Sequence, residues 1–169
     1  SLSIDHNVLS RRLVESEWYQ ELWGERVKMA DDQNQKSHFE NIHTGSRRAT
    51  STGGSVTGKG ADIVVVDDPV DPLDASSDVK REEANKHFDE TLSTRLNNPE
   101  TGFFIVVMQR LHTNDLTGHL LDKDPDNFDH ICVPAELADN VKPPSFRDFY
   151  KDGLFFPDRF TEKVLKNYG

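Results

Sequence analysis

Ala61-Asp62-Ile63-Val64-Val65-Val66-Asp67-Asp68-Pro69 is the stretch on which the fold turns. Four β-branched apolar residues in a row make a poor amphipathic strand and a good fully buried one. Buried strands of this kind belong to parallel sheets covered on both faces. In such sheets the carboxyl ends of the strands open into the crevice where ligands bind. Here that end carries two adjacent carboxylates and then a proline. Two acids so placed can hold Mg²⁺ through its waters and polarise an attacking water. An Asp-Asp-Pro turn after a buried strand is the plainer reading, because Asp and Pro are ordinary turn formers.

Working outward, a second apolar run, Phe103 to Met108, follows a helical stretch predicted over Ser77 to Leu96. Ser76, Ser77 and Asp78 are its cap candidates, Phe88, Leu92 and Leu96 its shared face, and Asn97-Asn98-Pro99 its stop. Strand, helix, strand is a right-handed crossover unit, so the two runs should lie parallel and end on one edge. That topology gathers Asp67, Asp68, Gln109 and Arg110. A Gln at a strand end can hydrogen-bond a water or a phosphate oxygen, and an Arg can hold charge that develops on phosphate. The structural alternative for Arg110 is an ion pair with Asp67 or Asp68. The fold class expected is α/β.

The remaining segments are less decisive. Leu13, Trp18 and Leu22 suggest a short amphipathic helix over Ser10 to Leu22, with Trp18, Tyr19 and Trp23 packing rather than stacking on bases. Arg26 to Ala30 is a possible short strand. Arg48 to Ser51 and Ser55 to Thr57 read as two strands around a Thr52-Gly53-Gly54 turn. A helix is expected near Asn114 to Leu121, capped by Thr113 or Asn114, and a third strand at His130 to Val133. Residues 143–169 look like a linker or small subdomain after a body of 1–142.

The totals bound the function classes. The chain has 169 residues, 34% hydrophobic and 30% charged, and a formal net charge of -10. That length suits one domain or part of one. A chain so acidic does not coat nucleic acid by bulk electrostatics, which leaves local basic spots such as Arg11-Arg12 and Arg47-Arg48. The single cysteine, Cys132, has no internal disulfide partner and reads as a small core residue, which favours a reducing cytosol. No apolar run approaches the ~20 residues of a membrane helix, and no secretory leader is visible. The seven histidines show no metal-ligand spacing. Thr57-Gly58-Lys59-Gly60 is not a Walker A loop, since Lys59 is followed by Gly60 and a strand, not by Ser or Thr opening a helix.

Asp67-Asp68 after an apolar strand looks like the Walker B element of a nucleotide hydrolase. Taken with Gly45-Ser46-Arg47-Arg48-Ala49, Gly58-Lys59-Gly60 leading into that strand, Thr94-Arg95-Leu96-Asn97, and Val106 through Gly118, it resembles the large subunit of bacteriophage terminases over most of the chain. The resemblance implies a P-loop NTPase-like, mostly parallel sheet with flanking helices, here a partial domain. It implies a DNA-packaging ATPase with ATP and Mg²⁺ as cofactors, a hydrolase working as a homo-oligomeric ring in the host bacterial cytoplasm. Double-stranded DNA, a small terminase subunit and a portal protein would be its partners. By position, Asp67 would serve Mg²⁺ largely through water, Asp68 the hydrolytic water, Gln109 the segment that couples hydrolysis to movement, Arg110 the phosphate charge, and Lys59 the nucleotide.

Three positions depart from the family pattern. Lys59 stands where many relatives have Arg, Gln109 where many have Thr, and Asp68 where Glu is usual; Lys keeps the charge of Arg but not its planar fork. The resemblance places Walker A upstream of Ser1 and the nuclease acids downstream of Gly169, so that this portion by itself should bind ATP weakly or not at all. Other readings remain open at this point: a helicase-like ATPase, a non-enzymatic prophage remnant or interaction module that keeps the fold, and a nuclease using Asp67 and Asp68 as a metal pair.

Overall fold

A computed structural model describes residues 2–51 and 58–167. The chain is mixed α/β, and its contacts divide it into two compact units, Ser1–His119 and Leu120–Gly169. Among the described residues no helix is long and apolar enough to cross a membrane.

The first unit opens with α1 (Leu2–Glu15) and α2 (Glu17–Trp23) in place of one helix over Ser10 to Leu22. The break is at Ser16. Its side chain accepts from Tyr19 N and so caps α2, while its hydroxyl donates to Leu13 O at 2.7 Å. Trp18, Tyr19 and Trp23 do pack on one another, with ring centroids 5.6 and 4.8 Å apart for the two contacts with Trp23. Three antiparallel strands follow, β1 (Met29–Asn34), β2 (His38–Asn41) and β3 (Ser46–Arg48), in that spatial order. The expected strand at Arg26 to Ala30 thus starts later and runs further. The expected pairing of Arg48–Ser51 with residues 55–57 is replaced in its first half. β3 lies earlier and pairs with β2 across a turn in which Asn41 Oδ1 accepts from His43 N and Gly45 N. Residues 52–57, with the Thr52-Gly53-Gly54 turn, lie outside the described residues.

α1 is tied to this sheet. Asn7, fully buried, donates from Nδ2 to Lys36 O at 2.9 Å. Arg11 donates to Asn34 O, and Arg47 to Ser10 Oγ.

The parallel pair is β4 (Ile63–Asp67) and β5 (Phe103–Val107), in register from Ile63↔Phe103 to Asp67↔Val107. The crossover between them holds a short 3₁₀ turn (Pro72–Asp74) and α3 (Asp78–His87), capped by Ser77, which accepts from Lys80 N. Arg81, buried in α3, bonds the Asp78 carboxylate and Ala75 O and so locks the loop to the helix. The helix does not reach Leu96. It ends in one wide π turn, Phe88–Leu92, closed by Ser93 N donating to Phe88 O, and Leu96 then bridges Ala61.

Full burial of β4 does not hold. Along both strands alternate residues are exposed, so Ile63, Val65, Phe103, Ile105 and Val107 form one open apolar face. Among the described residues only the other face is covered. There Phe104 meets buried Phe88 at 5.2 Å between ring centroids. β-branched runs record a preference for extended backbone but not how many layers lie on the sheet.

α4 (Leu116–Lys123) begins two residues later than expected, and its cap is Asp115 rather than Thr113 or Asn114. In the second unit, His130 to Val133 is not a strand. Cys132 forms only an isolated antiparallel bridge to Lys142, and Tyr150 Oη donates to Pro134 O at 2.7 Å. Pro144–Phe149 is a 3₁₀ segment and α5 spans Glu162–Leu165. Among the described residues of this unit, Leu120, Val141 and Leu154 are the buried apolar ones. Burial pushes the Tyr150 phenol above its ordinary range.

Candidate functional site

The parallel register decides which side chains share an edge. Asp67 stands opposite Val107, and one residue on, Asp68 N donates to Val107 O at 2.9 Å. The return contact is Gln109 N donating to Asp68 Oδ1 at 3.3 Å. Asp68 is held at φ 41°, a left-handed backbone that Asp tolerates better than most residues because its short carboxylate finds local donors. This turn swings the chain off the sheet directly after the two acids. The edge expected from topology is therefore present: Asp67, Asp68, Gln109 and Arg110 leave the same end of the pair.

Their side chains are not equivalent. Asp67 is 44% exposed, and its Oδ2 lies 3.6 Å from His6 Nδ1. α1, anchored by Asn7, thus carries a histidine to the first carboxylate. Arg110 pairs with neither Asp67 nor Asp68. Its Nε donates to Asp115 Oδ2 at 2.9 Å, and Asp115 is buried. Gln109 is exposed. Lys59 lies before β4, at the opposite end of the strand from Asp67, a span on the order of 16 Å of extended chain. It is close enough to His38 to lower that histidine's pKa, although burial of the ring contributes most and Arg48 next, against the opposing pull of Glu40.

Two residues of this edge escape a reading of the sequence. His6 is separated from Asp67 by most of the first unit, and nothing local announces the contact. Asp115 leaves a faint signal: it stands three residues before Gly118, the spacing of a cap and its N3 amide, but Thr113 and Asn114 are equally good candidates by type.

The arrangement could serve metal-assisted chemistry on a phosphate. Mg²⁺ needs only one or two carboxylates when waters and phosphates fill its other positions. Asp67, half-exposed with an oxygen free of backbone bonds, fits that need through an intervening water. Asp68 is oriented by the Gln109 amide, and its reach is shorter than that of the Glu usual at this position. Among the described residues no three of His, Cys, Asp and Glu converge to ligate a metal directly. A shallow groove begins at Pro69, immediately past the acids, and runs along Asp71, Asp74, Lys80 and His87. No family model matches the chain, and no curated protein matches it.

Proposed function

We propose that this chain is part of the ATPase of a viral DNA-packaging motor of the terminase large-subunit kind, built on a P-loop NTPase-like sheet. One observation carries the proposal: the parallel pairing of β4 with β5, which puts Asp67-Asp68 and Gln109-Arg110 on a single sheet edge. The sequence motifs at both strand ends support it independently. In this reading Asp67 holds hydrated Mg²⁺, Asp68 polarises the water that attacks the γ-phosphate, Gln109 senses the phosphate, and Arg110 stabilises the charge that develops there. Residues 1–169 contain no Walker A sequence, and Lys59, at the far end of β4 from Asp67, is left out of this site. Hydrolysis drives double-stranded DNA through a portal in the bacterial cytoplasm, with the chain in a homo-oligomeric ring and a small subunit selecting the DNA.

The test is steady-state MgATP hydrolysis by the complete gene product that contains residues 1–169, with and without double-stranded DNA. DNA-stimulated turnover is the expected result. An intact gene product without hydrolysis sinks the proposal and favours a remnant that keeps the fold. Calorimetry on the chain of residues 1–169 should give no micromolar MgATP binding, because these residues contain no Walker A sequence to cradle the β- and γ-phosphates. Micromolar affinity would show that the nucleotide site has been misplaced.

A further inference from the structure

Asp115 has more partners than a helix cap needs. Its Oδ1 accepts from Gly118 N at 2.9 Å, the N3 amide of α4. Its Oδ2 accepts from Arg110 Nε at 2.9 Å and, at the long limit, from His112 N. Asp115 is 3% exposed, and the next residue, Leu116, is 1% exposed, so this start of α4 is buried. Arg110, by contrast, is 40% exposed. Among the described residues neither of its Nη groups has a partner. Gly118 is required by the backbone, since a Cβ there would lie 1.8 Å from Thr113 O, and Arg110 Nη2 would lie 3.4 Å from that Cβ, an ordinary contact distance. The guanidinium therefore rests over the first turn of α4, held by one of its five donors.

We infer that Asp115 is the positioning residue of the edge, fixing Arg110 through Nε so that Nη1 and Nη2 are left for anionic oxygen. A free arginine loses about 2 kcal/mol of rotamer entropy when it is ordered. Here a buried carboxylate orders it beforehand, three residues beyond Val107 and next to the residue whose amide binds Asp68. A guanidinium pre-set in this way acts where charge develops and needs no reorganisation during reaction. The inference rests on the ATPase reading for its chemistry but not for its geometry.

Asp115→Asn separates positioning from capping, because the amide oxygen still accepts from Gly118 N while the amide nitrogen cannot accept from Arg110. In the complete gene product this variant should lower kcat by on the order of tenfold to a hundredfold, with KM for MgATP within about twofold. Adding Asp115→Asn to Arg110→Ala should cost nothing further. Wild-type kcat in Asp115→Asn, or losses that multiply in the double variant, would overturn the inference. Asp67→Asn at wild-type rate would instead remove the ATPase reading. The positioning is then read by NMR on residues 1–169. In Asp115→Asn the Arg110 Nε–H signal should move and exchange faster, while the Gly118 amide keeps its shift. An Arg110 signal that does not change refutes the positioning directly.

Discussion

The two ends of the β4–β5 pair are built from the same residue types and do opposite things. At the end where the strands begin, the chain closes on itself. Ala61 bridges Leu96, Asn97 Nδ2 donates to Asp62 Oδ1 at 3.0 Å, and Phe103 N donates to Asp62 O. Glycines permit the closure, since a Cβ on Gly102 would fall 2.8 Å from Asn98 O and 2.9 Å from Asp62 O. At the end where the strands finish, Asp67 is half-exposed, Asp68 is held in a left-handed turn, and Arg110 is tethered from behind. The Asp62 carboxylate ties one chain reversal together through Asn97, whereas at the other end the Asp68 carboxylate takes a backbone amide and Asp67 meets only His6, at 3.6 Å. The difference lies in what each carboxylate is tied to, since all three residues are exposed.

The largest effect that could break this contrast is steric. Gly102→Ala should destabilise the first unit by about 1–3 kcal/mol, as overpacking against fixed backbone does; an unchanged melting temperature would mean that the closed end has slack. Next come the carboxylates themselves. Asp62→Ala should cost about 0.5–1.5 kcal/mol in denaturant unfolding, through the lost bond to Asn97. Asp67→Ala should fall within about 0.5 kcal/mol of wild type, as for a surface site away from the core. If the two costs were equal, or reversed, the distinction between the ends would fail in its stability form. Asp68→Asn, which keeps both the acceptor for Gln109 N and tolerance of positive φ, should likewise stay within about 0.5 kcal/mol.

The smallest effect concerns which end Lys59 serves. His38 has its folded pKa below the ordinary 6.5, from burial first, then Arg48, with Lys59 adding to the effect. The unfolded chain therefore binds the proton more readily. Stability should fall as pH drops below about 6.5 and level off once the folded form is also protonated. Lys59→Gln should raise the His38 pKa and shrink that loss, as followed by NMR titration of the imidazole. A His38 titration that Lys59→Gln leaves unmoved would detach Lys59 from the antiparallel sheet.

Much of this edge was legible in the amino-acid sequence, for a physical reason. Two apolar β-branched or aromatic runs separated by a helix-length, Ser-capped segment leave few topologies other than a right-handed crossover, and that alone gathers Asp67 and Gln109. Ser77 was legible as a cap for the same local reason. What was not legible depends on contacts distant in sequence or on layers. The open face of Ile63, Val65 and Ile105 reflects what packs on the sheet, which a run of valines does not encode. The π turn at Phe88 replaces a regular continuation to Leu96 and shifts its face while leaving the apolar spacing intact. Asp115 was hidden among three cap-competent residues in a row, and burial selects among them. His6 reaches Asp67 from α1, which Asn7, Arg11 and Ser10 tie to the antiparallel sheet.

The claim that the finishing end is a catalytic edge is tested most directly by kcat for MgATP hydrolysis in three variants of the complete gene product: Asp62→Asn, Asp67→Asn and Asp68→Asn. If the edge works as proposed, Asp67→Asn and Asp68→Asn each lose on the order of a hundredfold or more, the scale of a removed metal or general-base group, while Asp62→Asn stays within about threefold of wild type. Full turnover in Asp67→Asn, or an equal loss in Asp62→Asn, would contradict it.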